Sequence, residues 1–327
     1  MGARVGFLAL AVILLGAPAA GAQDASRPYR VGFLGPYGPG LDWSMLSAYQ
    51  ERLRELGWVE GQNIWTTYRW ADGDFSQFPK HVEALMDVPL DLLVLPCGSA
   101  VTTARARSPD IPIVAGCIDL VGFGKELDSL ARPGGFTTGF TYFSPAGTAR
   151  RLDLLRELLP RLSRVGLLYH GRSSWVAHLA DVESAAAGAN VAVRRLEWRD
   201  PGDLRATFGA AKREGVHAVM TLGDSAAHFY RHYLFKLAAE HRLPVIYDFP
   251  MFPSADEVGL IAYYADVAAL YRISAEQVDQ ILRGRKPGDI PLAVPQKLRL
   301  LINEKAARAL GLSISPALRQ QADQVLD

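Results

Sequence analysis

Short apolar runs that break on glycine or proline and lead into amphipathic helices recur along this chain, and that rhythm leaves few folds open. The first is VGFLGPY (31–37), where a strand stops at Gly35-Pro36 and a second turn cluster follows at Gly38-Pro39-Gly40. A helix begins near Ser44, with Met45, Leu46, Tyr49, Leu53 and Leu56 on one face and Gly57 placed to end it. A buried strand feeding a helix through such a break is the opening unit of a parallel α/β sheet. Ligands in these sheets sit beyond the carboxyl ends of the strands, so each break is also a candidate wall of a binding site.

The pattern predicts strands over 30–35, 63–70, 90–95 and 111–115, alternating with helices over 44–56, 77–86 and 99–107. Residues 131–144 change character. Arg132-Pro133-Gly134-Gly135 is a turn, 137–141 is strand-like, and Ser144-Pro145 caps a helix carrying Leu152, Leu155 and Leu159. Strands over 164–169, 191–197, 218–222, 245–247 and 259–263 then alternate with helices from Ser174, from Pro201 behind Asp200, and over 225–241. The tail adds an amphipathic helix through Val267, Leu270, Tyr271, Ser274, Val278, Ile281 and Leu282, then a connection holding Pro287, Pro291 and Pro295. A strand over 298–302 and two short helices follow, the second capped by Ser315-Pro316. The expected fold is α/β, two doubly wound parallel-sheet lobes joined by crossover hinge strands. Lobe I takes residues 29–142 plus 265–288, and lobe II takes 143–264 plus 296–327. Such hinges let two lobes close on a ligand.

A chain of 327 residues suits two domains better than one core. A formal net charge of +1 gives no reason to expect nucleic acid or an anionic membrane as partner. Residues 1–22 read as a secretory signal peptide: Arg4, an apolar run from Val5 to Leu15, then small residues with cleavage best placed after Ala22. An uncleaved anchor helix is the alternative, but the run is short for a membrane span. The expected location is therefore periplasmic. Cys97 and Cys117 are too few for a disulfide scaffold or a structural zinc site. Each ends one of two successive strands, so they are expected close together, either bonded or as two thiols lining a pocket. Alkylation without reductant, read by mass spectrometry, separates the two alternatives.

The glycine turn at 35–40 is not G-x-G-x-x-G, and no G-K-[ST], G-x-S-x-G or H-E-x-x-H occurs. His228 and His232 stand four apart, yet Phe229, Tyr230, Tyr233 and Phe235 surround them without an acidic third ligand, which favours packing over metal. Asp119, Asp224 and Asp248 lie at or just after strand ends, where loop capping competes with chemistry. No catalytic residue, metal or cofactor is expected. The residues expected at a ligand site are Tyr37, Ser99, Ile118, Asp119, Tyr142, His170, Asp224, Tyr247 and Tyr263, all near the carboxyl ends of predicted strands. Ser99 and Ser225 also lie near helix starts, where free N–H groups bind anions; plain N-capping is the alternative. Tyrosines around a cleft suit a ligand with a ring or apolar portion, core packing being the alternative for each.

Several blocks carry a resemblance. They are LRELGWVEGQNI (53–64) with YRWADGD (68–74), IPIV with D-x-V-G (119–122), and ARPGG with TGF (131–140). RLDLLRELLPRLSRVGLL (151–168), AAEHRLPVIYDF (238–249), ILRGRKPGDIP (281–291) and KLRLLINEKAARALGLSI (297–314) continue it to the end. Through them the chain resembles the ABC-transporter substrate-binding proteins of the type I periplasmic-binding fold, the family that includes tryptophan- and tyrosine-type binders. The resemblance implies a monomeric protein without catalytic activity. It would take a small-molecule ligand, amino-acid-like or aromatic, and hand it to an ABC permease in the inner membrane. It also implies polar anchoring by lobe I, which places Ser99 and the Ile118-Asp119 turn in that role; from the helix start at Ser99, a ligand carboxylate is expected there, with Asp119 available for an ammonium and Tyr247 and Tyr263 covering the apolar part. Two departures leave the ligand open: Tyr169-His170-Gly171-Arg172 stands where relatives often carry Asn-Pro, and Ala262-Tyr263-Tyr264-Ala265 where many read Ser-Tyr-Gly. A periplasmic ligand sensor is the alternative function, and a hydrolase on a two-lobed scaffold a further one.

Overall fold

Strand β1 (Tyr29–Gly35), buried from Val31 onward, pairs in parallel with β2 (Ile64–Trp70) on one side and β3 (Leu92–Leu95) on the other. The computed structural model describes residues 27–40, 43–96, 98–118, 128–142, 144–171, 173–223, 225–249 and 259–327. Helices α1 (Trp43–Glu55), α2 (Phe78–Leu85) and α3 (Ser99–Arg107) connect these strands to β4 (Ile113–Ala115) and β5 (Thr137–Gly139). The resulting sheet is all parallel, in the order β2-β1-β3-β4-β5. Lobe II opens with α4 (Pro145–Leu158) and β6 (Arg164–His170), then α5 (Leu179–Gly188), β7 (Ala192–Trp198) and α6 (Pro201–Arg213). It continues through β8 (Ala218–Thr221), α7 (Ser225–Phe229), α8 (Arg231–His241), β9 (Val245–Tyr247) and β10 (Ile261–Ala265). The same winding recurs: β7-β6-β8-β9-β10 repeats the order of the first sheet. Both lobes thus aim the carboxyl ends of their strands at a cleft, as doubly wound sheets do.

The tail returns to both lobes. Helix α9 (Val267–Leu282) packs across α1 in lobe I, its buried stripe made by Val267, Leu270, Tyr271, Ser274, Val278, Ile281 and Leu282. Around that contact Arg52 pairs with Glu276 at 2.8 Å, Arg272 with Glu55 at 2.6 Å, and the Trp58 indole N–H donates to Asp279 at 2.8 Å. Strand β11 (Leu298–Asn303) then pairs antiparallel with β10. Helices α10 (Glu304–Ala309) and α11 (Pro316–Gln321) lead to β12 (Gln324–Leu326), completing a seven-stranded sheet. The two-lobed parallel-sheet architecture expected from the alternation is the one found.

Two elements differ from expectation. The helix expected over 225–241 is broken at Tyr230, whose ψ of 17° lies off the helical value, so His228 and His232 sit on separate helices. Strand β12 is only three residues long and offers no alternating pattern to read.

The segments passing between the lobes are bonded to one another. Phe140 bridges Ala293, with Ala293 N–H donating to Gly139 at 2.9 Å and Thr141 N–H donating to Ala293 at 3.0 Å. Gln277 of α9, 2% exposed, donates from Nε2 to the carbonyls of Gly139 (2.8 Å) and Pro291 (3.1 Å). Asp266 caps α9 through Ala269 N–H at 3.1 Å and also pairs with Arg299 of β11 at 2.6 Å. Gly139 sits at the centre: its φ is +148°, and a Cβ there would lie 1.8 Å from the Ala115 carbonyl oxygen. Gly139→Ala is therefore expected to destabilise the protein by about 2–4 kcal/mol in urea unfolding, from backbone strain and overpacking together. Wild-type stability in that variant would show that β4 and the crossover do not need this close approach.

Candidate functional site

Helix α4 starts at the first crossover because Ser144 accepts the Gly147 N–H at 3.1 Å and Pro145 takes the first helical position. One turn in, Gly147 leaves room for β11; a Cβ there would lie 2.6 Å from Leu298 Cδ1. Thr148, Arg151, Leu152 and Leu155 follow on the helical stripe that faces the lobe, all buried. Opposite this stripe, β8, β9 and β10 end at Thr221, Tyr247 and Ala265. Between them lies a pocket lined by Tyr142, Ser144, Arg151, Asp248, Phe249 and Tyr263 together with Gly147, Gly223, Tyr264, Ala265 and Leu298.

Among the described residues, the charged ones lining this pocket are Arg151 and Asp248, whose side chains are 6% and 11% exposed. Arg151 Nη1 lies 3.1 Å from Asp248 Oδ2, and Nη2 donates to Thr148 Oγ1 at 3.0 Å. The Thr221 hydroxyl donates to Asp248 Oδ1 at 2.8 Å and accepts the Asp248 N–H at 3.2 Å, so the carboxylate is held in place from two sides. The Tyr264 phenol is pushed up mainly by burial and stays neutral. The pocket thus presents aromatic walls with a fixed pair of opposite charges inside.

Lobe I meets lobe II beside it through ring contacts that end on Phe249 and Tyr142. Tyr37 packs on His228 at 4.9 Å between centroids, His228 on Phe249 at 4.7 Å, and Phe249 on Tyr142 at 5.8 Å. The Asp72-Gly73 turn after β2 presses on the same region. Gly73 has φ +80°, and a Cβ there would lie 2.4 Å from the Phe229 ring. Beyond Phe249 and Tyr264, a second hollow opens between Met45, His228, Val267 and Arg299.

Of the residues expected at the site, Tyr142 and Tyr263 line the pocket. Tyr37 lies at the lobe seam. Ser99 is exposed and is the first residue of α3 behind Gly98, which takes the N-cap position. Ile118 is 2% exposed, its side chain in the lobe I core beside Leu95 and Ala115. His170 stacks edge-on against Trp198 at 4.7 Å with Nε2 at 2.9 Å from the Arg199 carbonyl. Tyr247, expected to cover the ligand, lies away from this pocket. Its side chain is fully buried against Phe235 of α8 (5.3 Å) and borders a different hollow, beside Leu243 and Leu310. At a strand terminus either face of the sheet is open to the side chain, and Tyr247 takes the one under α8. Asp119, Asp224 and Cys97 lie outside the described residues. Arg151 and Phe249 were not anticipated, whereas Tyr264 stands in the strand-end pair Tyr263-Tyr264. Arg151 left one signal, a charge inside the apolar stripe of an amphipathic helix. Among the described residues no three His, Cys, Asp or Glu cluster as metal ligands.

The profile of the family described as ABC transporter substrate binding protein matches residues 38–326. A tyrosine-binding protein of Clostridioides difficile (strain R20291) is 22% identical over 284 residues, which cover 84% of this chain and 78% of that protein. Two crystal structures share the fold. One is an ABC domain in complex with L-Trp from Streptococcus pneumonia, with TM-score 0.82, 21% identity, 91% of this chain and all of that one covered. The other is a conserved domain protein of Vibrio cholerae, with TM-score 0.81, 22% identity and the same coverage.

His228 makes the seam sensitive to acid. It is 6% exposed, its Nδ1 has no hydrogen-bond partner, and burial, then Arg231 and His232, lower its pKa from 6.5 to about 3. The unfolded chain takes up this proton first, so the stabilisation is present above pH 6.5 and is lost as pH falls toward 3. The slope from this one group cannot exceed about 1.4 kcal/mol per pH unit. Urea unfolding from pH 7 to 4 should show a shallower loss of stability in His228→Gln than in wild type. Equal slopes would remove His228 from the acid response.

Proposed function

The chain belongs to the ABC transporter substrate binding protein family, and from that premise we propose that it is the exported receptor of an ABC importer for an aromatic, amino-acid-like ligand. The observation that carries the reading is the pocket at the strand ends of lobe II. Its Tyr142, Phe249, Tyr263 and Tyr264 walls suit a ring, its buried Arg151–Asp248 pair suits a polar end, and it lies beside the seam where lobe I meets lobe II. The names of the relatives, a tyrosine-binding protein and an L-Trp complex, point the same way. In this reading the ligand binds between the lobes, the lobes close on it, and the closed form is delivered to a permease in the inner membrane. No chemistry is done on the ligand. Ser99 and the Ile118-Asp119 turn would contribute polar contacts from lobe I, with His170 and Asp224 at the rim of lobe II. The signal-like residues 1–22 support periplasmic delivery.

The test is binding followed by closure. L-Tyrosine or L-tryptophan at saturation should raise the melting temperature, and by mass action the rise grows with ligand concentration. Small-angle scattering should show the radius of gyration falling in parallel. A protein that responds to aliphatic amino acids but to neither aromatic one would refute the ligand class. Binding without any change in scattering would count against lobe closure.

A further inference from the structure

We propose that Arg151 recognises the carboxylate of a zwitterionic ligand, while Asp248 receives its ammonium group. This rests on the pocket at the strand ends of lobe II being the ligand site, and it moves the carboxylate from Ser99 to lobe II. The guanidinium is a donor-only group with five N–H bonds and no acceptor. Here it is buried, yet only Nη2 has a hydrogen bond, to Thr148; Nε and Nη1 have no hydrogen-bond partner. The 3.1 Å approach of Nη1 to Asp248 is an ion pair without hydrogen-bond alignment. A buried cation with bare donors is costly, whereas a carboxylate supplies charged acceptors of matching geometry. Asp248 Oδ1 is held by the Thr221 hydroxyl, which leaves Oδ2, the atom facing Arg151, as the one a cationic group can take over.

Charge balance sharpens the class. Among the described residues, Arg151 and Asp248 are the charged ones lining the pocket, and they cancel each other. A zwitterion entering between them completes a four-charge array with no net charge. A bare carboxylate or a bare amine instead brings an uncompensated charge into a desolvated pocket. The pocket therefore selects molecules bearing both groups, as an α-amino acid does, against either single-charge analogue.

The experiment is calorimetry on the purified protein with three matched sets. They are L-tryptophan, tryptamine and indole-3-propionate; L-tyrosine, tyramine and 3-(4-hydroxyphenyl)propionate; and L-leucine, isoamylamine and 4-methylpentanoate. The zwitterion of at least one set should bind about tenfold or more tighter than both truncated partners, the loss expected for one charged hydrogen bond. In Arg151→Gln the preference for the amino acid over its amine should shrink by about the same factor, with Arg151→Lys keeping part of it. If Arg151→Gln does not fold, the wild-type comparison within each set still decides. An amine bound as tightly as its amino acid, no binding by any of the three amino acids, or an undiminished preference in Arg151→Gln overturns the assignment. A preference confined to the leucine set upholds the zwitterion site and refutes the aromatic reading, so the two can fail separately.

Discussion

Three connections run between the lobes among the described residues, and the hydrogen bonds that tie them together are what the rest of the structure depends on. Gln277 holds two of them by their carbonyls, Phe140 and Ala293 pair as a short ladder, and Asp266 links the start of α9 to β11 through Arg299. Bonded this way, the connections bend as one unit. The pocket wall made by Tyr142, Ala265 and Leu298 belongs to these same segments, so any change in the angle between the lobes is also a change in the pocket.

The two kinds of contact around the pocket divide the work by their physics. The arch of Tyr37, His228, Phe249 and Tyr142 is apolar and ring-on-ring, and burial of that sort has little directional preference. It tolerates small differences in closure angle. Hydrogen bonds weaken steeply with misalignment, and the polar groups that need orientation, Thr148, Arg151, Thr221 and Asp248, are anchored on α4 and on strand ends of a single lobe. Geometry is thus set within lobe II, and lobe I meets it through the rings.

Much of the fold was readable from residue order because the central strands β1, β3, β6 and β8 are nearly continuous apolar runs, and the longer helices carry an apolar stripe. The Ser144-Pro145 start of α4 and the stripe of α9 are examples where local chemistry and tertiary contact agree. The family resemblance supplied the function; periodicity alone stopped at two lobes around a cleft. The site was less legible. Position at a strand end is visible in a sequence, but the direction of the last side chain is not, and Tyr247 and His170 turned to neighbours on the sheet faces. Arg151 was hidden for the opposite reason: it sits among leucines on a stripe read as core, and only the placement of β9 opposite it reveals a partner.

The antiparallel pairing of β10 with β11 has a consequence for how the chain becomes a protein. Lobe I lacks its α9 layer until residues beyond β10 exist, and lobe II lacks two strands until the tail arrives. Neither core is contiguous, so the lobes mature together, late, and through contacts of long sequence separation, which are slow to form. A chain stopped short of β11 would present β10 as a bare edge on an otherwise built sheet, the kind of surface that recruits strands from other molecules.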